Sequence, residues 1–145
     1  MAVLYQKSGG PAQLDRVELT TPANKANQKP PVPFMKEPLA KPLLPMDVRR
    51  GANGQILVAV LHPSIKPKGH VRVLTSDGAT VCQSADVPGA VARVAGAKNG
   101  DVYVATHFGP IYWLPAPCAG GGPAVPLSGT HRNRTFRTSL NLLED

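Results

Sequence analysis

Asn53-Gly54-Gln55-Ile56-Leu57-Val58-Ala59 and Asn99-Gly100-Asp101-Val102-Tyr103-Val104-Ala105 carry nearly the same message in the same order. The two Asn-Gly pairs stand 99 − 53 = 46 residues apart. Each copy is followed by a glycine and an alternating apolar run, Gly69-His70-Val71-Arg72-Val73-Leu74 and Gly109-Pro110-Ile111-Tyr112-Trp113-Leu114. A repeat near this period marks a small multi-stranded unit used more than once. Two such units are too few to close an array. The pattern therefore points outward to partners, most simply copies of the same chain.

Around this repeat the strand signals are dense. Gln55–Leu61 is apolar at almost every position, the mark of a strand buried on both faces. His70–Thr75 and Ala79–Gln83 flank Ser76-Asp77-Gly78 and form the strongest hairpin signal. Ala90–Ala95 precedes the second Asn-Gly turn. Asp101–Thr106 and Ile111–Leu114 follow it, with Val102, Val104 and Thr106 on one face and Tyr103, Ala105 and His107 on the other. The β domain is set at 47–127.

The flanks are different material. Within residues 1–46, Val3-Leu4-Tyr5 and Val17-Glu18-Leu19 read as short strands. Residues 22–46 hold Pro22, Pro30, Pro31, Pro33, Pro38, Pro42 and Pro45, which rules out a helix or a central strand and predicts an extended arm. Its apolar residues, above all Phe34, Met35, Leu39 and Leu43, exceed what a spacer needs. They predict docking into a partner's groove, with Lys25, Lys29, Lys36 and Lys41 meeting acidic rims. Residues 128–145 form a basic tail in which Arg132, Arg134 and Arg137 could contact a polyanion, followed by Leu140, Leu142 and Leu143.

The chain has 145 residues, 14 Gly, 16 Pro and a net charge of +7. This composition argues for turns and strands over helices. The excess charge is spread along the chain, 8 Lys/Arg against 4 acids in 1–50 and 8 against 5 in 51–145. A diffuse excess leaves nucleic acid a possible but unfavoured partner. No apolar run approaches a membrane span and the N-terminus lacks a signal-peptide core, so no membrane partner is expected and the location expected is cytoplasmic or within a virion. Cys82 and Cys118 lack a Cys-x-x-Cys context. They are open to two readings, buried free thiols or a disulfide joining the repeats or subunits.

Catalytic chemistry is sparse. His62, His70, His107 and His131 lie at no ligand spacing, so neither a metal nor a cofactor is expected. No strained nucleophile turn or phosphate loop is present. One ligand pocket is conceivable, built from Tyr103, His107, Tyr112 and Trp113.

The unit Asn-Gly turn, Asp101–Thr106, glycine, Ile111–Leu114 resembles the inner hairpin of a β-propeller blade of the NHL and lactonase types. The likeness covers roughly 51–118. It implies blades that oligomerise, for example three two-blade chains in a six-bladed ring. It carries no activity, since the metal carboxylates of the lactonase type have no counterpart. The other architecture compatible with the same strands is a compact antiparallel sandwich or barrel. The overall organisation, a small β domain with a long arm, is similar to small virion proteins of tailed phages. This implies a non-enzymatic structural role, such as capsid decoration or tail accessory, with the arm anchoring to neighbouring subunits. A lectin-like module of oligomerised blades and a nucleic-acid-associated accessory protein are the alternatives.

Overall fold

The computed structural model describes residues 2–6, 12–16, 30 and 32–127. The architecture is all-β and antiparallel. Among the described residues no helix is long and apolar enough to cross a membrane. The strands are β1 (Ala2–Gln6), β2 (Ala12–Arg16), β3 (Val32–Pro33), β4 (Leu44–Arg50), β5 (Ile56–His62), β6 (Lys68–Leu74), β7 (Thr80–Gln83), β8 (Val87–Pro88), β9 (Val91–Gly96), β10 (Val102–Thr106), β11 (Ile111–Leu114) and β12 (Val125–Pro126).

Two four-stranded meanders dominate, in the orders β4-β5-β6-β7 and β9-β10-β11-β12, with β8 added beside β6. The strand that follows each Asn-Gly pair starts 102 − 56 = 46 residues after its counterpart. The doubled sequence thus builds two sheets of the same topology. A third small sheet, β1-β2-β3, precedes them. The first strand falls where Val3-Leu4-Tyr5 predicted one. The second lies at Ala12–Arg16, ahead of Val17-Glu18-Leu19, whose residues are outside the described set. Strand pairing already begins at Leu44, so the boundary expected at 46/47 cuts β4. Pro45 is accommodated because β4 is an edge strand with a bulge between Pro45 and Asp47, a position where a missing N–H costs no ladder bond.

The register reveals how the sheets stack. Within the first sheet, Leu57, Ala59, Val71 and Val73 share one face, and Ile56, Val58, Arg72 and Leu74 the other. The same positions of the second sheet are Tyr103, Ala105, Ile111 and Trp113 on one face, and Val102, Val104, Tyr112 and Leu114 on the other. The main core joins unlike faces. Leu57, Ala59, Val71 and Val73 pack with Val91, Val94, Val102, Val104 and Leu114. The sheets are therefore stacked head to tail, each turning the same face in the same direction. Asp47 ties them further, its Oδ2 accepting from the Val94 backbone N–H at 3.1 Å.

The outer face of the first sheet has its own cover. Leu14, Phe34, Met35 and Leu39 are buried with Val58, Val60 and Leu74, and Leu43 packs beside them. Residues 34–43 lie over the sheet as a strap. The Phe34 N–H donates to Leu14 O at 2.6 Å and the Lys36 N–H to Gly78 O at 3.1 Å. Arg72 Nη1 donates to Glu37 O at 2.7 Å. Gly78 is required at this crossing. Its φ is +95°, and a Cβ there would strike the Phe34 carbonyl. The apolar arm residues expected to meet a neighbour therefore serve this chain's own core. The reason lies in β5, which buries Leu57 and Ala59 on one side and Val58 and Val60 on the other. A strand apolar on both faces needs two covers, and the preceding segment supplies the second across a short loop.

The cysteines form one intrachain disulfide, Cys82–Cys118. It fastens β7 of the first sheet to the 3-10 turn Pro117–Ala119 that follows the second sheet's β11. The free-thiol reading falls. Two Cys separated by 36 residues are brought together only by the stacking of the sheets.

Candidate functional site

Three places could carry function. The first is a cleft of ≈ 240 Å³ between the two Asn-Gly turns and the disulfide-bearing turn, lined in part by Asn53, Gln55, Lys98, Asn99, Asp101 and Cys118. The turns differ although their sequences agree. Asn53 and Gly54 both take positive φ, 55° and 74°, the type I′ geometry. In the second copy only Gly100 does, at φ 94°. The Ala97 N–H donates to Asp101 O and the Gly100 N–H to Ala97 O, a type I turn closed by a glycine bulge.

Asp101 organises that corner. Its Oδ2 accepts from Trp113 Nε1 at 3.0 Å and from Asn99 Nδ2 at 3.2 Å. Its Oδ1 accepts from the Ala116 backbone N–H at 2.9 Å. A carboxylate so engaged is a structural clamp between β10, β11 and the next turn. This role has no local mark in the sequence, because Trp113 and Ala116 lie 12 and 15 residues away.

The second place is the pocket expected from Tyr103, His107, Tyr112 and Trp113. The register separates these side chains. Tyr103 pairs with Trp113, and Val104 with Tyr112. Tyr103 and Trp113 therefore share the outer face of the second sheet, whereas Tyr112 packs against the main core. His107 sits beyond the end of β10, exposed, beside an exposed Phe108. One four-residue pocket does not form, because neighbouring positions on one strand point to opposite faces.

What does form is the third place, the outer face itself. Tyr103 and Leu127 pack over Ala95, Ala105 and Ile111, with Trp113 half-buried beside them. Val125 pairs with Trp113 and is 38% exposed. Every member of this cluster belongs to the second sheet or to Leu127. The equivalent face of the first sheet is buried in the main core.

His70 lies on the strap side of β6, 1% exposed, its ring 5.5 Å from that of His62. Neither ring nitrogen has a hydrogen-bond partner among the described residues. Burial, helped by His62 and Arg72, pushes its pKa down to about 4, so it is neutral at pH 7. Among the described residues no three His, Cys, Asp or Glu side chains gather as a metal site.

Of the lysines assigned to acidic rims, Lys36 pairs with Asp77 of its own chain at 3.1 Å. Lys41 is exposed at the turn before β4. Lys25, Lys29 and the tail residues Arg132, Arg134 and Arg137 lie outside the described residues. No family model, no curated protein and no solved structure matches the chain.

Proposed function

We propose that this chain is a non-enzymatic structural subunit of a large assembly, contacting protein neighbours through the outer face of its second sheet. The observation that carries the reading is the head-to-tail stack of two like sheets. Such a stack ends in two unlike faces. One is sealed by the strap. The other presents Tyr103, Trp113 and Val125 on one face of an antiparallel sheet, with aromatic residues of the kind enriched at protein interfaces. A virion shell or tail, built from many small subunits, is the assembly we favour. What supports that choice is the small β platform and its directional stacking, features suited to repeated addition.

The test is sedimentation of the full-length chain from the cells or particles that produce it. We expect co-sedimentation with a particle far larger than 15.3 kDa, and loss of it in Val125→Arg, which places a charge on the open face without touching the core. A wild-type chain that sediments on its own would overturn the proposal.

A further inference from the structure

From the register we infer that the open face of one copy docks on the strap-covered face of the next, so that the strap is a removable plug on a head-to-tail interface between copies. The inference rests on the assembly reading and names its interface.

The template for this contact already exists inside one chain. There, the Leu57/Ala59/Val71/Val73 face packs on the Val102/Val104/Leu114 face. The open end of the stack carries the positions matching the first of these, Tyr103, Ala105, Ile111 and Trp113. The strap end carries the positions matching the second, Ile56, Val58 and Leu74, with Arg72 where the internal face has Tyr112. A next copy could therefore repeat the apolar part of the internal contact, with the Arg72 guanidinium at its edge. Interfaces of this heterologous type close into rings or run on as filaments, according to their rotation.

The strap stands in the way. Phe34, Met35 and Leu39 occupy the acceptor face beside Leu14 of β2, which must also move. The strap's polar fastenings are the bonds from Phe34 N–H to Leu14 O, Lys36 N–H to Gly78 O and Arg72 Nη1 to Glu37 O, which must break for it to leave, and an ion pair at its margin. Lys36 and Asp77 are both well exposed, and such pairs contribute little. The strap buries apolar side chains, so removing it costs energy, which the incoming face would recover by burying its own.

One difference predicts that the contact between copies is weaker than the internal one. Asp47 accepts a hydrogen bond from Val94 N across the internal interface. Its counterpart 46 residues on is Arg93. A guanidinium has no acceptor, so that tie has no equivalent between chains.

The experiment is analytical ultracentrifugation of the full chain and of Gly78→Val, whose branched side chain collides with the strap at Phe34 and, at a φ of +95°, also strains the β6–β7 turn. Gly78→Val should associate at least tenfold more tightly than wild type, with mass rising with concentration. Adding Tyr103→Arg on the opposite face should return it to a monomer. Lys36→Glu, which sets a carboxylate against Asp77 and disturbs no buried group, should strengthen association a few-fold. That second variant decides the matter if Gly78→Val fails to fold. A folded Gly78→Val and a Lys36→Glu that both sediment as monomers at 100-fold varied loading overturn the plug and its interface. If wild type still co-sediments with a large particle in that case, the assembly reading survives without this interface.

Discussion

The two sheets share a topology and a repeated pattern of residues, yet they solve the problem of their outer faces differently. The first has Val58, Val60 and Leu74 outward and covers them with its own strap. The second has Tyr103, Ala105, Ile111 and Trp113 outward and covers them with side chains from the same sheet and Leu127. The first sheet also buries a histidine whose ring nitrogens have no hydrogen-bond partner among the described residues. The second fixes its hairpin and following turn through one carboxylate. A repeated backbone does not oblige its copies to share an environment. Position in the stack decides which face becomes core and which becomes surface.

The disulfide is the covalent link between the two regions, and its removal is the harshest test of their mutual dependence. A crosslink closing 36 residues limits the unfolded chain by roughly 3–4 kcal/mol. Cys82→Ser with Cys118→Ser should lose about that much stability in urea melts, and a reducing dithiol should match it on the native chain. If the loss is under about 1 kcal/mol, stacking alone holds the sheets together.

Leu74 and Leu114 occupy matching positions, one beneath the strap and one between the sheets, and both are fully buried. Either truncation to alanine should cost about 3 kcal/mol. Leu74→Ala should cost less of the two, because the strap can settle into the cavity while two sheets cannot. Chemical denaturation of the pair measures the difference directly, and equal values would mean the strap is as rigid as a sheet.

Acid should strike the first sheet selectively. The folded pKa of His70 is lowered to about 4 from 6.5. The unfolded chain therefore takes up a proton more readily. The stability attached to neutral His70 is complete above pH 6.5, falls as the pH drops toward 4 and levels below it. The loss amounts to roughly 3 kcal/mol at most. Its neighbours in that field are His62, Arg72, Lys68 and Asp86. His70→Leu should remove this slope between pH 6.5 and 4 in thermal melts, and an unchanged slope would place the acid sensitivity elsewhere.

The smallest contrast is at the turns. Asp101→Ala leaves Trp113 Nε1 and the Ala116 N–H without their acceptor and should cost about 2 kcal/mol. Gln55→Ala, 46 residues earlier, should cost under about 0.5 kcal/mol. A quenching or red-shift change of Trp113 fluorescence should accompany the first substitution only.

Much of the fold was written in local pattern. Unbroken apolarity announced that β5 would be buried on two sides, and the Ser76-Asp77-Gly78 hairpin and the Asp101–Thr106 strand fell where their alternation put them. The Asn-Gly echo found the pair of meanders. Long-range facts were not local and stayed hidden. β12 follows a glycine-rich stretch and has two residues, too few for any alternation. The strap's destination could not be read from proline content, which says extended but not where. The candidate pocket failed for a related reason. Adjacent aromatics on a strand look like neighbours in sequence and part to opposite faces in space. Subtracting 46 sets Tyr103 and Ala105 on Leu57 and Ala59, but the same offset fails for Trp113, whose counterpart by strand pairing is Val73, 113 − 73 = 40 residues earlier.

Pro45 in β4 has a consequence beyond tolerating an edge. The first sheet begins with a proline and a bulge, and the second ends on a two-residue strand containing Pro126. Both borders lack the unbroken row of donors that a foreign strand would zip onto. The chain is thereby steered away from amyloid-like edge pairing at these two margins. The protected margins and the face proposed for assembly are different surfaces, so a substitution in one can leave the other unchanged.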